Sequence, residues 1–289
     1  MRFPFSCFVL LCLLLVTHSL VSAVSPSTVM THDSRSLASG RRKNSVLPIV
    51  LLHGMGDSCC FPFSMGKMEQ LIKEEVHRQT NETVFVYSLR IGGSAVSDVI
   101  HSYLYDANQY VQDICDQLTT IPELVNGFNG IGFSQGGQFL RAFVQRCNSP
   151  KMRNLISIGG QHRGVYGLPR CPGVDSTLCE YARRLINVGV YWSIVQSSLI
   201  QAQYWNNPWN QAEYLSKSRF LADINNERAL KNDTYRSNLA SLDSFVMVKF
   251  AQDSFVQPIE SQWFGFYAEG QDRDVIPLRE SAMYHEVWL

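Results

Sequence analysis

The stretch from Phe128 to Leu140, FNGIGFSQGGQFL, limits what this chain can fold into more than any other segment. A short apolar run with glycines at 130 and 132 ends at Phe133. Ser134 and Gln135 follow, and two more glycines lead into Phe139, Leu140, Phe143, Val144 and Cys147 at helical offsets. The pattern predicts a strand, a sharp turn and a helix. Gly132-Phe133-Ser134-Gln135-Gly136 matches the G-x-S-x-G nucleophile elbow. There the flanking glycines relieve a strained serine, its hydroxyl is exposed, and a helix N-terminus points at the site. A plain glycine-rich turn is the bland alternative, and the strand-turn-helix context favours the nucleophile.

The segments around the elbow repeat one rhythm. VLPIVLLHG (46–54) and TVFVYSL (83–89) are continuous apolar runs of the kind buried on both faces of a parallel sheet. Between them, Met65, Met68, Leu71, Ile72 and Val76 fall at helical spacing. Tyr110, Val111, Ile114 and Leu118 do the same ahead of the elbow. NLISIGG (154–160) and SFVMVKFA (244–251) read as further strands. Strands alternating with helices predict an α/β fold with a mostly parallel sheet. From Gly160 to Leu242 the alternation stops and the residues turn aromatic, which predicts a mostly helical cap inserted at about 163–240.

An acyl-transferring serine needs two donors for the developing oxyanion. One is the backbone N–H of Gln135, directly after the nucleophile, and the other comes from the loop after an early strand. LLHGMGD supplies that loop, with Met55 as the donor and His53 as a structural support. The triad acid belongs just beyond a late strand, where Asp253 stands; as a bland reading Asp253 forms a turn. Asp243 precedes that strand and so lies at the wrong end of a parallel sheet.

The N-terminal MRFPFSCFVLLCLLLVTHSLVSA, with Arg2, an apolar run and small residues at 22 and 23, predicts a cleaved signal over 1–23 rather than a stable membrane anchor. Residues 24–45 read as a flexible lead-in, and the folded domain as 46–289. Six cysteines remain after the signal: Cys59, Cys60, Cys115, Cys147, Cys171 and Cys179. An even number in a secretory chain predicts disulfides. Asn81 and Asn232 head glycosylation sequons. Twenty-five basic residues balance twenty-five acidic ones, which argues against nucleic acid or another polyanion as partner. No cysteine or histidine pair has metal-ligand spacing.

LLHGMGDSCC, GFSQGGQFLRAF, IGGQHRGVYGLPRCPG, FLADINNER and FVMVKFAQDSFVQPIESQWFGFY together resemble the palmitoyl-protein thioesterases, lysosomal hydrolases that remove long-chain fatty acyl groups from S-acylated cysteines. The likeness runs from about Pro48 to Glu280. It implies an α/β-hydrolase fold, Ser134 as nucleophile, Asp253 as acid, Met55 and Gln135 as oxyanion-hole residues, and no cofactor. It also implies the pairings Cys59 with Cys60, Cys115 with Cys147 and Cys171 with Cys179, and a lysosomal or secreted protein met by a sorting receptor. Its substrates would be S-palmitoylated proteins or peptides and other acyl thioesters.

The resemblance places the triad histidine in a Gly-Asp-His segment after a further strand, followed by a final helix. No Gly-Asp-His occurs here, and His285 is the only histidine after Asp253. The chain therefore reads as a truncated form lacking that last strand and helix. Two alternatives to a thioesterase share the elbow: an acyl-binding decoy without the base, and a lipase or esterase acting on oxygen esters.

Overall fold

The computed structural model describes residues 46–167 and 189–285. Five parallel strands form the central sheet: β1 (Ile49–Leu52), β2 (Val86–Ser88), β3 (Phe128–Phe133), β4 (Met152–Ile158) and β5 (Ser244–Val248), in spatial order β2-β1-β3-β4-β5. The α/β class with a mostly parallel sheet, expected from the alternation, is what the molecule shows. The segments read as signal and lead-in, and the Cys171 and Cys179 pair, lie outside the described residues.

Successive side chains of a strand point to opposite faces, so a strand covered on both sides has no polar phase. In β1 all four side chains are buried: Val50 and Leu52 face one core cluster, Ile49 and Leu51 the other. Helices α3 (Ala107–Thr119) and α4 (Gln135–Arg146) cover the first face with Tyr110, Ile114, Phe139 and Phe143. Helix α1 (Met65–Thr80) covers the second with Met65, Ile72 and Val76. A short helix, α2 (Ala95–His101), lies between β2 and α3; the apolar pattern did not reveal it, because only Asp98 and Val99 of its residues are buried. It starts in a capping box, Ser94 and Ser97 each accepting the other's backbone N–H.

Strand ends differ from the sequence reading for local reasons. β2 pairs only with the short β1 and spans three residues. β4 stops at Ile158 because Gly159 turns the chain at φ +70°, and a Cβ there would lie 2.8 Å from the Phe250 ring.

Between β4 and β5 the described residues hold only short helices: α5 (Ser193–Gln196), α6 (Ile200–Gln203), α7 (Gln211–Lys217), α8 (Leu221–Ile224) and α9 (Asp233–Ala240). Arg141 of α4, fully buried, holds this segment to the sheet domain. Its guanidinium donates to Asn225 Oδ1 (2.9 Å) and to the His162 carbonyl (3.2 Å), and sits 5.0 Å from the Phe264 ring centre. Burial without a carboxylate hydrogen-bond partner pulls its pKa down to about 9. The Cys115–Cys147 disulfide ties α3 to the end of α4.

Among the described residues β5 is one of the sheet's two edges, all five of its residues half-buried. The Trp263 indole donates to its Met247 carbonyl at 3.0 Å, with Lys249 Nζ 4.4 Å from the same ring's centre. Beyond it, β6 (Phe266–Tyr267) and β7 (Val275–Ile276) form a two-residue antiparallel ribbon that the sequence reading did not anticipate.

A tight backbone junction lies where α4 crosses the end of β1. A Cβ on Gly136 would lie 2.4 Å from the Leu52 carbonyl oxygen and 2.5 Å from that of His53, both backbone atoms with no room to yield. Gly136→Ala is expected to lower unfolding free energy by about 3 kcal/mol. Gly93→Ala, where a Cβ meets nothing within 4 Å, should change it by less than about 0.5 kcal/mol. Chemical denaturation of both variants checks the contrast.

Candidate active site

Ser134 stands between β3 and α4 at φ +51°, ψ −123°, a region costly for any residue with a side chain. The strain is held from both sides: Ser134 N donates to the Ile158 carbonyl (2.8 Å), and its own carbonyl accepts from Gly137 N (3.0 Å). Close packing beside the serine leaves little room for added side chains. A Cβ on Gly132 would meet Gly137 N at 2.4 Å, and one on Gly54 would meet Ser134 Cβ at 3.2 Å. Ser134 occupies the N-cap position of α4, yet its hydroxyl makes no capping bond. It is left for other chemistry.

Met55 follows β1 by three residues and lines the same cavities as Ser134; Gln135 opens α4. Among the described residues neither backbone N–H is hydrogen-bonded. The Gln135 side chain, almost fully buried, turns away and donates to the Ser102 carbonyl (3.1 Å).

Two cavities meet at the serine. The larger, about 1060 Å³, is walled by Phe63, Met65, Met68, Ile158, Phe250 and Phe255. The smaller, about 40 Å³, lies under Val165, Tyr204 and Trp205, with Gln161 and Gln201 as polar members. Phe63 is 82% exposed at the rim of the larger one. Polar side chains, Asp57, Lys67 and Gln252 among them, share the lining of the larger cavity, and its apolar wall of Phe63, Met65, Met68, Phe250 and Phe255 suits a hydrocarbon chain.

Asp253 lines the larger cavity, and its carboxylate is occupied locally. Oδ1 accepts from Phe255 N (2.7 Å) and Val256 N (3.3 Å), a turn-forming arrangement, while Oδ2 accepts from Gln262 Nε2 (2.9 Å). Gln262 in turn accepts from Phe250 N, so this buried glutamine fixes both ends of the loop after β5. No histidine among the described residues is hydrogen-bonded to Ser134 or Asp253 or lines either cavity. His285 is exposed, edge-on to the Tyr284 ring. His162 is buried against Phe264 and Ser157 Oγ; burial, and Arg141 after it, drive its pKa well down and keep it neutral.

His53 is a support, as the sequence suggested, and it has a partner that the sequence reading missed. The ring is completely buried. Nδ1 donates to the Gly54 carbonyl (2.8 Å), and Nε2 lies 3.0 Å from Asp98 Oδ1 without the alignment of a linear hydrogen bond. Burial opposes charge on this ring, but Asp98, the Gly54 carbonyl and Asp57 together outweigh it and raise the pKa. For Asp98 burial likewise opposes charge, and His53 with the Cys59 and Ile91 amides outweighs it, so its pKa falls. The result is an enclosed histidine–carboxylate pair in which each partner favours the other's charged form.

The structure bonds Cys59 to Cys60 in the loop leading from Met55 to α1. Asn81 and Asn232 are exposed, Asn81 as the left-handed C-cap of α1 and Asn232 as the N-cap of α9. No group of metal-ligating side chains and no helix long and apolar enough to cross a membrane occurs among the described residues.

The sequence model of the palmitoyl protein thioesterase family matches residues 48–289. Palmitoyl-protein thioesterase 1 of Caenorhabditis elegans is 47% identical over 246 residues, 85% of this chain and 80% of that protein. Palmitoyl-protein thioesterase 3 of Dictyostelium discoideum is 36% identical over 84% of this chain and 78% of that one. The lysosomal thioesterase PPT2 homolog of Drosophila melanogaster is 29% identical over 80% and 74%.

The His53–Asp98 pair carries a pH signature. A raised histidine pKa stabilises the fold fully below the ordinary value of about 6.5, and this is lost as pH rises through the folded value. A lowered aspartate pKa stabilises above the ordinary value of about 3.9, and this is lost as pH falls through the folded value. The stability difference between the wild type and Asp98→Asn should therefore be widest near pH ~5, on the order of 3 kcal/mol, and shrink in both directions. Denaturant unfolding at a series of pH values measures it; a flat difference contradicts the charged pair.

Proposed function

The chain belongs to the palmitoyl protein thioesterase family, and on that premise we propose that it hydrolyses thioesters between long-chain fatty acids and protein cysteines, with Ser134 as nucleophile. One observation carries the reading: a serine held at positive φ at the meeting of two cavities, its hydroxyl and the Met55 and Gln135 amides without hydrogen bonds among the described residues.

Ser134 Oγ attacks the thioester carbonyl carbon while a base takes the hydroxyl proton. The oxyanion rests on the Met55 and Gln135 amides, the thiol leaves with a proton, and water then releases the fatty acid from the acyl-serine. Asp253 is assigned as the triad acid; among the described residues no imidazole stands beside it or Ser134, and the base is not assigned to a residue. The apolar cleft takes the acyl chain, and the segment at 163–240 acts as the cap that shapes it. The folded unit is one α/β-hydrolase domain, residues 46–289.

Further parts of the reading concern where the protein works. The apolar segment at 1–23 serves as a signal, Asn81 and Asn232 carry glycans that a sorting receptor reads, and the destination is the lysosome. The relatives named lysosomal thioesterases and the exposure of both sequons support this. Glycosidase treatment of protein secreted from cultured cells should shift its mass by two glycans. Loss of the Asn81 and Asn232 sites should divert it from lysosomes.

The activity is tested with an S-palmitoylated peptide. Ser134→Ala should abolish whatever hydrolysis the wild type shows, with the fold intact, and a fluorophosphonate should label the wild type only. Equal turnover by wild type and variant would sink the assignment.

A further inference from the structure

Helix α2 lines neither cavity, yet its residue Asp98 and its C-cap Ser102 reach both sides of the proposed oxyanion hole. Asp98 and Ser102, four apart, face the same way from the helix. Asp98 and Ser102 are both completely buried.

Asp98 acts on the first donor through one intermediary. It fixes the His53 ring at Nε2, and Nδ1 of that ring holds the Gly54 carbonyl, which also accepts from Asp57 N at 3.4 Å. In a trans peptide the C=O and the following N–H point in opposite directions. Holding the Gly54 carbonyl down against His53 therefore aims the Met55 N–H the other way, toward the side on which Ser134 packs against Gly54. The same carboxylate accepts from Cys59 N (3.0 Å), at the far end of the Met55 loop, and from Ile91 N (2.8 Å) after β2, so with His53 both ends of that loop are tied to one side chain.

Ser102 acts on both donors. Its hydroxyl accepts from Gly56 N (2.8 Å), one residue beyond Met55, and donates to the Val99 carbonyl (2.7 Å). Its carbonyl accepts from the Gln135 side chain (3.1 Å), the residue carrying the second amide, and from Gln201 (3.0 Å), which lines the smaller cavity. A single helical turn thus spans the two donors from behind.

We propose that Asp98 and Ser102 are positioning residues for the oxyanion hole, Asp98 aiming the Met55 amide through His53 and the Gly54 carbonyl, and Ser102 fixing the Met55 loop and Gln135 relative to each other. The proposal rests on the reading of Ser134 as an acyl-transfer nucleophile. Neither residue touches substrate, so both act on the transition state rather than on substrate affinity.

The test uses the full chain with Asp98→Asn and Ser102→Ala, each checked for a cooperative thermal transition. With S-palmitoylated peptide, kcat should fall about 10- to 100-fold in each variant while KM stays within about 2-fold. A long-chain trifluoromethyl ketone, which forms a tetrahedral oxyanion on the serine, should lose affinity in step with kcat. Palmitate, which forms none, should bind as in the wild type. Unchanged kcat, a rise confined to KM, or equal losses for the ketone and palmitate would each overturn the proposal. If Asp98→Asn fails to fold, Ser102→Ala decides alone. Fluorophosphonate labelling of Ser134 separates the two levels of the reading. Labelling without thioester hydrolysis removes the substrate assignment but still judges the proposal by the labelling rates of the variants. No labelling of the wild type removes both.

Discussion

Three stretches of backbone meet without side chains between them where β1 ends, β3 turns and α4 begins. Gly136 lies against the Leu52 and His53 carbonyls, Gly132 against Gly137, and Gly54 against Ser134. The contact fixes the height of the serine above the sheet and forces its unusual backbone angles. It also brings Met55, in the loop after β1, to the same two cavities that Ser134 lines. Each glycine is therefore a distance constraint, and the site inherits its dimensions from the absence of methyl groups. Because the sheet is parallel and buried on both faces, all three stretches end on the same side, where loops are free to carry chemistry.

Much of this was legible in the sequence, because it rests on local signals. Continuous apolar runs marked the strands, helical spacing marked α1, α3 and α4, and Gly132-Phe133-Ser134-Gln135-Gly136 announced its own geometry. What escaped was the part that depends on tertiary partners. Asp98 in AVSDVIH looks like an ordinary solvent-facing polar residue, since nothing nearby shows that His53, more than forty positions earlier, lies on its buried side. Ser102 reads as a helix end. The capping box at Ser94 and Ser97 was the one sign that a helix begins there at all. Gln262 was invisible for the same reason: its role comes from spanning Asp253 and Phe250 across a loop, not from any periodicity.

The polar interior follows a common logic. Arg141 and the His53–Asp98 pair are ionisable groups taken fully out of water, and each is retained by contacts to backbone carbonyls or amides rather than by charge alone. Such groups add little net stability compared with apolar replacements, but they penalise any rearrangement that breaks their bonds. The Cys115–Cys147 bond works on the unfolded chain instead, closing a loop of 32-residue separation for about 4 kcal/mol in the chain-entropy account. Cys59–Cys60 closes no such loop, so any influence it has is confined to the few residues beside Met55.

The Trp263 indole on the outer border of β5 has a consequence for self-association. A parallel sheet that ends in a half-covered apolar strand invites a stranger's backbone to zip alongside it. Here the Met247 oxygen, near the C-terminal end of that border, already holds a hydrogen bond, and the lysine perched over the ring adds a cation that an incoming strand would have to displace or neutralise. A bulky aromatic borrowed from the following turn thus serves as a stopper, and the molecule defends a flank that its strand order leaves open.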